Sequence, residues 1–137
     1  MDNIIYFDEN TIKIFNGHIN DTSNNFISEF TKHVKPNEIK HISYNKSLII
    51  TILTIYNKIL ICNIKLYSKH EFKVFNIEGK DYAKWLYLSY DYILIQRNSG
   101  QIDLLSIDLC KYKNNIFNNE NIKFIGISDH QVIIIIL

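Results

Sequence analysis

Five histidines, two cysteines and fourteen carboxylates are the groups in this 137-residue sequence best equipped for chemistry. His18, His33, His41, His70 and His130 are scattered. None stands from a Cys, Asp, Glu or second His at a spacing that projects two ligands from one strand or one helical turn. They read as surface or hydrogen-bonded histidines. Cys62 and Cys110 lack CxxC spacing and lie among apolar residues, the pattern of reduced core thiols. Asp103 and Asp108 fall on one strand face, where solvation and pairing with lysines of a neighbouring strand explain them better than acid and base catalysis. Four glycines, Gly17, Gly79, Gly100 and Gly126, are too few and too dispersed for a phosphate loop, a nucleophile elbow or a dinucleotide fingerprint. The expectation is no catalytic residue, no metal and no cofactor.

Charge and hydropathy narrow the partners. The net charge is +1, and the lysines are spread singly from Lys13 to Lys123, so the concentrated basic face that neutralises phosphates is missing and nucleic acid is not the expected partner. The most membrane-like stretch, residues 48–66, is interrupted by Tyr56, Asn57 and Lys58, and Asn63 and Lys65 follow. The uninterrupted run is too short for a bilayer, and a hairpin explains it. Asp2, Asp8 and Glu9 give the amino terminus the wrong charge for a signal peptide, so the chain is expected in the cytoplasm or nucleus. Asn20-Asp-Thr and Asn45-Lys-Ser match the glycosylation sequon, as Asn-rich sequences do by chance. Arg97 is the only arginine and Ala83 the only alanine, a skew toward Ile, Asn and Lys that an AT-rich coding sequence explains.

The elements that must position these residues are strands. Leu60, Cys62, Ile64 and Leu66 alternate with Asn63 and Lys65, the period of two of a strand with one wetter side. Residues 48–55 are β-branched and apolar on both faces, as an interior strand requires. Joined through residues 56–58 they make a hairpin. A second hairpin pairs 92–96 with 101–108 through a turn in which Asn98, Ser99 and Gly100 supply the chemistry, and a third opens the chain, 4–7 with 11–15. Residues 22–34 fit either a short helix, begun by Ser23, stopped by Pro36 and buried through Phe26, Ile27, Phe30 and Val34, or an edge strand. Residues 112–121 are Asn-rich and read as a surface loop around one short strand at Ile116 and Phe117.

The hairpins recur. The segments Ile39-Lys-His-Ile-Ser-Tyr-Asn45, Ala83-Lys-Trp-Leu-Tyr-Leu-Ser-Tyr-Asp91 and Ile122-Lys-Phe-Ile-Gly-Ile-Ser-Asp129 each run Lys, two bulky residues, a small polar turn and an apolar strand, with Lys40, Lys84 and Lys123 about forty residues apart. This pattern resembles WD40-like β-propeller repeats over most of the chain, with residues 71–77 in the role of the more polar fourth strand. The family's Trp-Asp ending and Gly-His opening are not at matching places: Gly17-His18 follows an early strand and Trp85 lies in an inner one. The resemblance implies an all-β fold, a partial propeller of about three four-stranded blades forming a single domain over 1–137. The alternative is a β-sandwich with one short helix.

The resemblance also implies a function. Loops that join second to third strands, and fourth strands to the next first strand, share one face of such domains and commonly meet partners. Here they carry Tyr56, Asn57, Lys80, Asp81, Tyr82, Arg97 and Asn98, within a stretch rich in Tyr and Trp. Arg97 is the candidate for bidentate pairing with a partner carboxylate. The apolar run 132–137 falls at the second strand of a blade, where a third strand is required. A protein partner, a second copy, missing sequence or the amino-terminal hairpin is expected to cover that edge. The expected function is a non-catalytic protein-protein interaction or scaffold module in a larger assembly. A self-assembling structural β subunit, as of a viral or parasite particle, is the alternative, and an enzyme with an unrecognised site the third.

Overall fold

The structure is a computed structural model that describes residues 31–45, 47–63, 70–128 and 132–137 in full and the backbone of residues 4–7 and 12–15. It is all-β. Twelve strands run in chain order: β1 (Ile4–Phe7), β2 (Ile12–Phe15), β3 (Ile39–Tyr44), β4 (Ile49–Thr54), β5 (Lys58–Asn63), β6 (Glu71–Asn76), β7 (Ala83–Leu88), β8 (Tyr92–Arg97), β9 (Gln101–Ser106), β10 (Tyr112–Asn118), β11 (Phe124–Ile127) and β12 (Ile133–Ile136). Among the described residues the helical content is one 3₁₀ turn, Pro36–Glu38. Most of the 22–34 segment, with His18, Asn20, Lys65 and His130, lies outside the described residues.

Every strand pairs antiparallel with its chain neighbour, in sheets ordered β3-β4-β5-β6, β7-β8-β9-β10, β11-β12 and β1-β2. The sheets do not close on one another. Where a third four-stranded unit was expected, the described residues form a two-stranded sheet, β11-β12. β4 reads IITILT and is buried at all six positions, because both of its faces meet packed neighbours. β6 and β10, at the far edge of their sheets, are mostly exposed. Residues 112–118, expected to be mainly loop, form the seven-residue β10. Its register against β9 slips between Lys113 and Phe117, which is why no alternation marks it in the sequence.

The sheets stack face to face. Leu53, Ile59 and Ile61 from one and Leu86, Ile93, Ile95 and Leu105 from the next form a cluster between the two four-stranded sheets. Leu94 and Ile102 on the opposite face meet Ile125, Ile133 and Ile135 of the β11-β12 sheet. A third cluster of Ile50, Ile52, Leu60, Cys62 and Val34 lies on the outer face of the first sheet. Each fully buried Ile or Leu contributes roughly 1.5–3 kcal/mol.

Local structure repeats with the sheets. Asn45, Ser89 and Ser128 each begin the turn after a first strand, and the side chain of each accepts the amide N–H of the returning chain, from Ile49 at 3.2 Å, Tyr92 at 3.1 Å and Val132 at 3.0 Å. The register of the first strand shifts once between Ile39 and His41 and once between Ala83 and Trp85, so Lys40 and Lys84 occupy the same bulge. Part of the lysine repeat is therefore a bulge repeat.

Candidate interaction surface

The connector between the two four-stranded sheets, residues 77–82, is where the loops singled out in the sequence meet. The amide of Asn98 donates to Tyr82 O at 2.9 Å, the Ser99 amide donates to Asp81 Oδ1 at 3.1 Å, and the Ser99 hydroxyl donates to Asp81 Oδ2. From the preceding sheet, Asn57 donates through Nδ2 to Ile77 O at 3.1 Å and accepts from the Ala83 amide through Oδ1 at 2.9 Å. Tyr56, Lys80, Tyr82 and Asn98 are exposed around this junction.

Arg97 and Asn57 correct the expectation that they face a partner. Asn57 is buried and tethers the connector. Arg97 is 6% exposed, and each nitrogen of its guanidinium is engaged within the chain: Nε donates to Asp103 Oδ2 at 2.8 Å, NH1 to the carbonyls of Glu78 and Asp81 at 2.8 and 3.0 Å, and NH2 to the Tyr112 hydroxyl at 3.1 Å. Asp103, expected on a solvated face, is fully buried on β9. It accepts further bonds from the Tyr112 hydroxyl at 2.6 Å, Gln101 Nε2 at 2.9 Å and the Asn115 amide at 2.8 Å. The residue that looked like a free cation is the centre of a satisfied polar network joining β8, β9, β10 and the connector.

Electrostatics follow the geometry. Burial works against the Asp103 carboxylate, but the bonds from Asn115, Gln101, Tyr112 and Arg97 outweigh it and hold the carboxyl below its ordinary value. Burial likewise opposes the Arg97 charge, and the bonds to Asp103 and Tyr112 reverse the effect, raising its pKa. Burial raises Tyr112, as does its bond to Asp103. The surface acid Asp108 is held low by the Ser106 hydroxyl and the Cys110 amide.

A second constellation was not singled out in the sequence. Among the described residues β7 has one edge without a strand, and side chains from β3 and the turn after it bond to its backbone and to the turn that follows it. Lys40 Nζ donates to Ala83 O at 2.6 Å, Ser43 Oγ to Leu86 O at 3.2 Å and Asn45 Nδ2 to Ser89 O at 3.1 Å, while His41 Nδ1 accepts the Leu86 amide at 3.4 Å. Covering an edge with side chains is one way to keep it from recruiting another strand. Only the recurring lysines and the small polar turn residues hinted at this seam in the sequence. The accepting role of Nδ1 places the His41 proton on Nε2, and burial holds the imidazole below its ordinary pKa. His41 also packs against Trp85, ring centroids 4.0 Å apart, and Trp85 approaches Tyr87 at 6.5 Å. An open groove of about 440 Å³ runs beside this aromatic row across β3, β7 and β11. Between β7 and β11 no equivalent side-chain bond forms among the described residues.

The β11-β12 sheet leaves apolar surface uncovered. Ile133 and Ile135 pack toward Leu94 and Ile102, whereas Val132, Ile134, Ile136 and Leu137 are each at least 50% exposed, beside an exposed Phe124. Residues 132, 134 and 136 turn their backbone groups toward β11, as the bond from Ser128 N to Val132 O shows, so the amides of Ile133 and Ile135 point to the other edge, which pairs with no strand among the described residues. β1 and β2, expected as one possible cover for that edge, pair with each other in a separate sheet and are not hydrogen-bonded to β12.

Cys62 is a buried thiol whose pKa burial pushes up, whereas Cys110 is exposed in the β9-β10 turn rather than in a core. Among the described residues no three His, Cys, Asp or Glu side chains gather where they could hold a metal ion, and no helix is long and apolar enough to cross a membrane. No family model, curated protein or solved structure matches this chain.

Proposed function

We propose that this chain is a non-catalytic protein-protein interaction module, a partial WD40-like propeller of about three blades, which serves as a scaffold within a larger assembly. The repeat of turn, bulge and sheet order supports the propeller reading, because consecutive four-stranded meanders stacked face to face are the units of such a ring. The single observation that carries the interaction reading is the edge of β12 that no strand among the described residues covers. An apolar strand with outward amides at Ile133 and Ile135 and exposed side chains at Ile134 and Ile136 is a template for strand addition. The exposed Tyr56, Lys80, Tyr82 and Asn98 around the connector form a second, more polar contact region.

Amide hydrogen exchange combined with light scattering on the purified chain tests the reading. The expected result is an associated species in which the Ile133 and Ile135 amides are protected. A soluble monomer at high concentration with those two amides exchanging freely would overturn it, because the edge would then be tolerated bare.

A further inference from the structure

We infer that the cleft between β7 and β11 binds an acidic segment of a protein partner, with a carboxylate held between Lys84 and Lys123 and a neighbouring apolar side chain packed on Trp85. The cleft measures about 380 Å³ and is bordered by Lys84, Trp85 and Tyr87 of β7, Gln96 of β8, Lys123 just before β11 and Ile125 within it. It adjoins β11, whereas the edge that carries the interaction reading belongs to β12, so the site does not depend on that edge.

Two cations at the cleft have no counter-charge. In the preceding seam Lys40 Nζ donates to Ala83 O at 2.6 Å from a bulge that recurs in β7. Lys84 occupies the same bulge one sheet on, yet among the described residues neither its ammonium nor that of Lys123 makes a hydrogen bond or an ion pair, the ion pair there being Arg97 with Asp103. Both lysines are exposed, and no carboxylate lines the cleft. Two uncompensated positive charges around one concavity favour an anion. A further donor lies in the wall. Gln96 is 6% exposed, its Oε1 accepts the Tyr87 hydroxyl at 2.9 Å, and its Nε2 has no hydrogen-bond partner among the described residues. A buried amide bonded at one end only is completed by a ligand oxygen.

The rest of the wall is apolar. Trp85 is 47% exposed, packs against His41 at 4.0 Å and approaches Tyr87 at 6.5 Å, and Ile125 is buried. Such rings are frequent anchors at interfaces. A free phosphate would neutralise the lysines and leave the rings wet. A polynucleotide needs a run of cations along its backbone, and here the net charge is +1 with the lysines dispersed. An acidic side chain beside an apolar one matches both halves. The volume lies at the low end of the roughly 300–1,000 Å³ of ligand pockets, room for a few side chains.

Trp85 is the only tryptophan in the sequence, so its fluorescence reports on the cleft directly. The test titrates the full chain with a short peptide of alternating glutamate and phenylalanine, the same peptide with glutamine for glutamate, inorganic phosphate, and a single-stranded oligonucleotide. The acidic peptide is expected to shift the emission saturably, and the glutamine peptide to bind about tenfold more weakly or worse. Lys84→Gln and Lys123→Gln are each expected to weaken the acidic peptide by about threefold to tenfold, and added salt to weaken it in the native chain. Lys113→Gln, at an exposed position of β10, should change nothing. All three variants are expected to unfold in urea as the native chain does, which separates lost binding from lost fold.

Equal affinity for the two peptides, or lysine variants that bind like the native chain, would overturn the inference. So would phosphate or the oligonucleotide saturating the cleft at lower concentration than the peptide, which would assign it to a small anion or to nucleic acid. A silent Trp85 in a chain whose Ile133 and Ile135 amides are protected overturns this site and leaves the β12 reading standing. A saturable, lysine-dependent response in a monomer with those amides labile supports this site and overturns the β12 edge.

Discussion

Asn57 and Gly100 occupy the same turn position in consecutive sheets, both in the left-handed region at φ 62° and 96°, and the carbonyl of each receives the amide that follows a fourth strand: Ile77 N at 3.0 Å on Asn57 O and Asn119 N at 3.2 Å on Gly100 O. One device, two residue types, and the difference has physical content. Asn57 keeps a side chain that reaches onward to the next sheet, whereas a Cβ at Gly100 would lie 2.2 Å from the Asn119 carbonyl oxygen.

Gly100→Ala is therefore expected to destabilise the chain by about 3 kcal/mol or more, from left-handed strain plus a clash with backbone that cannot yield. Gly79→Ala adds strain at φ 99° but meets only an ordinary 3.5 Å contact with Arg97 NH1, so its cost is about 1–2 kcal/mol. Urea unfolding of the two variants checks the order.

At Asn57 the side chain matters more than the conformation. Asn57→Gly keeps the φ but leaves Ile77 O and the Ala83 amide without their buried partner, a loss of about 2–3 kcal/mol. Asn57→Ala loses the same bonds and adds strain of about 1 kcal/mol. Equal stability of Asn57→Gly and the native chain would show that the tether to the connector is not structural.

Arg97→Ala leaves the Asp103 carboxylate buried without its cation, and about 3–5 kcal/mol of stability is expected to go with it. Replacing both charges, Arg97→Met with Asp103→Leu, is expected to cost less than the sum of the single changes. A double-mutant cycle by chemical unfolding measures the coupling, and additive values would show that the two groups act independently.

Acid stability follows from Asp103. Its folded pKa lies below the unfolded value of about 3.9, so as pH falls the unfolded chain takes the proton first. The stabilisation is fully present above about pH 4 and is lost as pH falls through the folded value. Asp108 titrates in the same direction, so Asp103→Asn should flatten the acid limb of stability against pH without abolishing it.

His41 sets a separate window. Its folded pKa is lowered by burial, and both states are neutral above the unfolded value of about 6.5. Below that pH the unfolded chain is protonated first, so stability declines until the folded value is passed, where Nδ1 can no longer accept the Leu86 amide. His41→Phe retains a ring against Trp85 and should remove this part of the pH dependence, read by thermal unfolding across mildly acidic pH.

Much of the fold was legible. The apolar, β-branched runs that became β4, β8 and β12 contain no helical period, and the lysine spacing marked first strands correctly at Ile39 and Ala83. β10 was not legible, because its register slips at an exposed edge where packing does not constrain the pattern. The loop cluster was legible as a place: residues 80–82 and 97–99 do meet. The roles of its members were not.

The sequence by itself determined an all-β chain, the order of its meanders and the recurrence of their turns, because these depend on neighbours within about ten residues: alternation, β-branching and left-handed turn positions. Only the tertiary structure decided that Arg97 is an internal tie rather than a surface cation, since its partners Glu78, Asp81, Asp103 and Tyr112 come from three different segments. The same holds for the side chains of β3 and the turn after it that cap β7 and the turn following it, whose donors and acceptors lie 43 to 45 residues apart. Burial and pairing at that range are properties of how sheets stack, and a strand pattern does not record which sheet it will face.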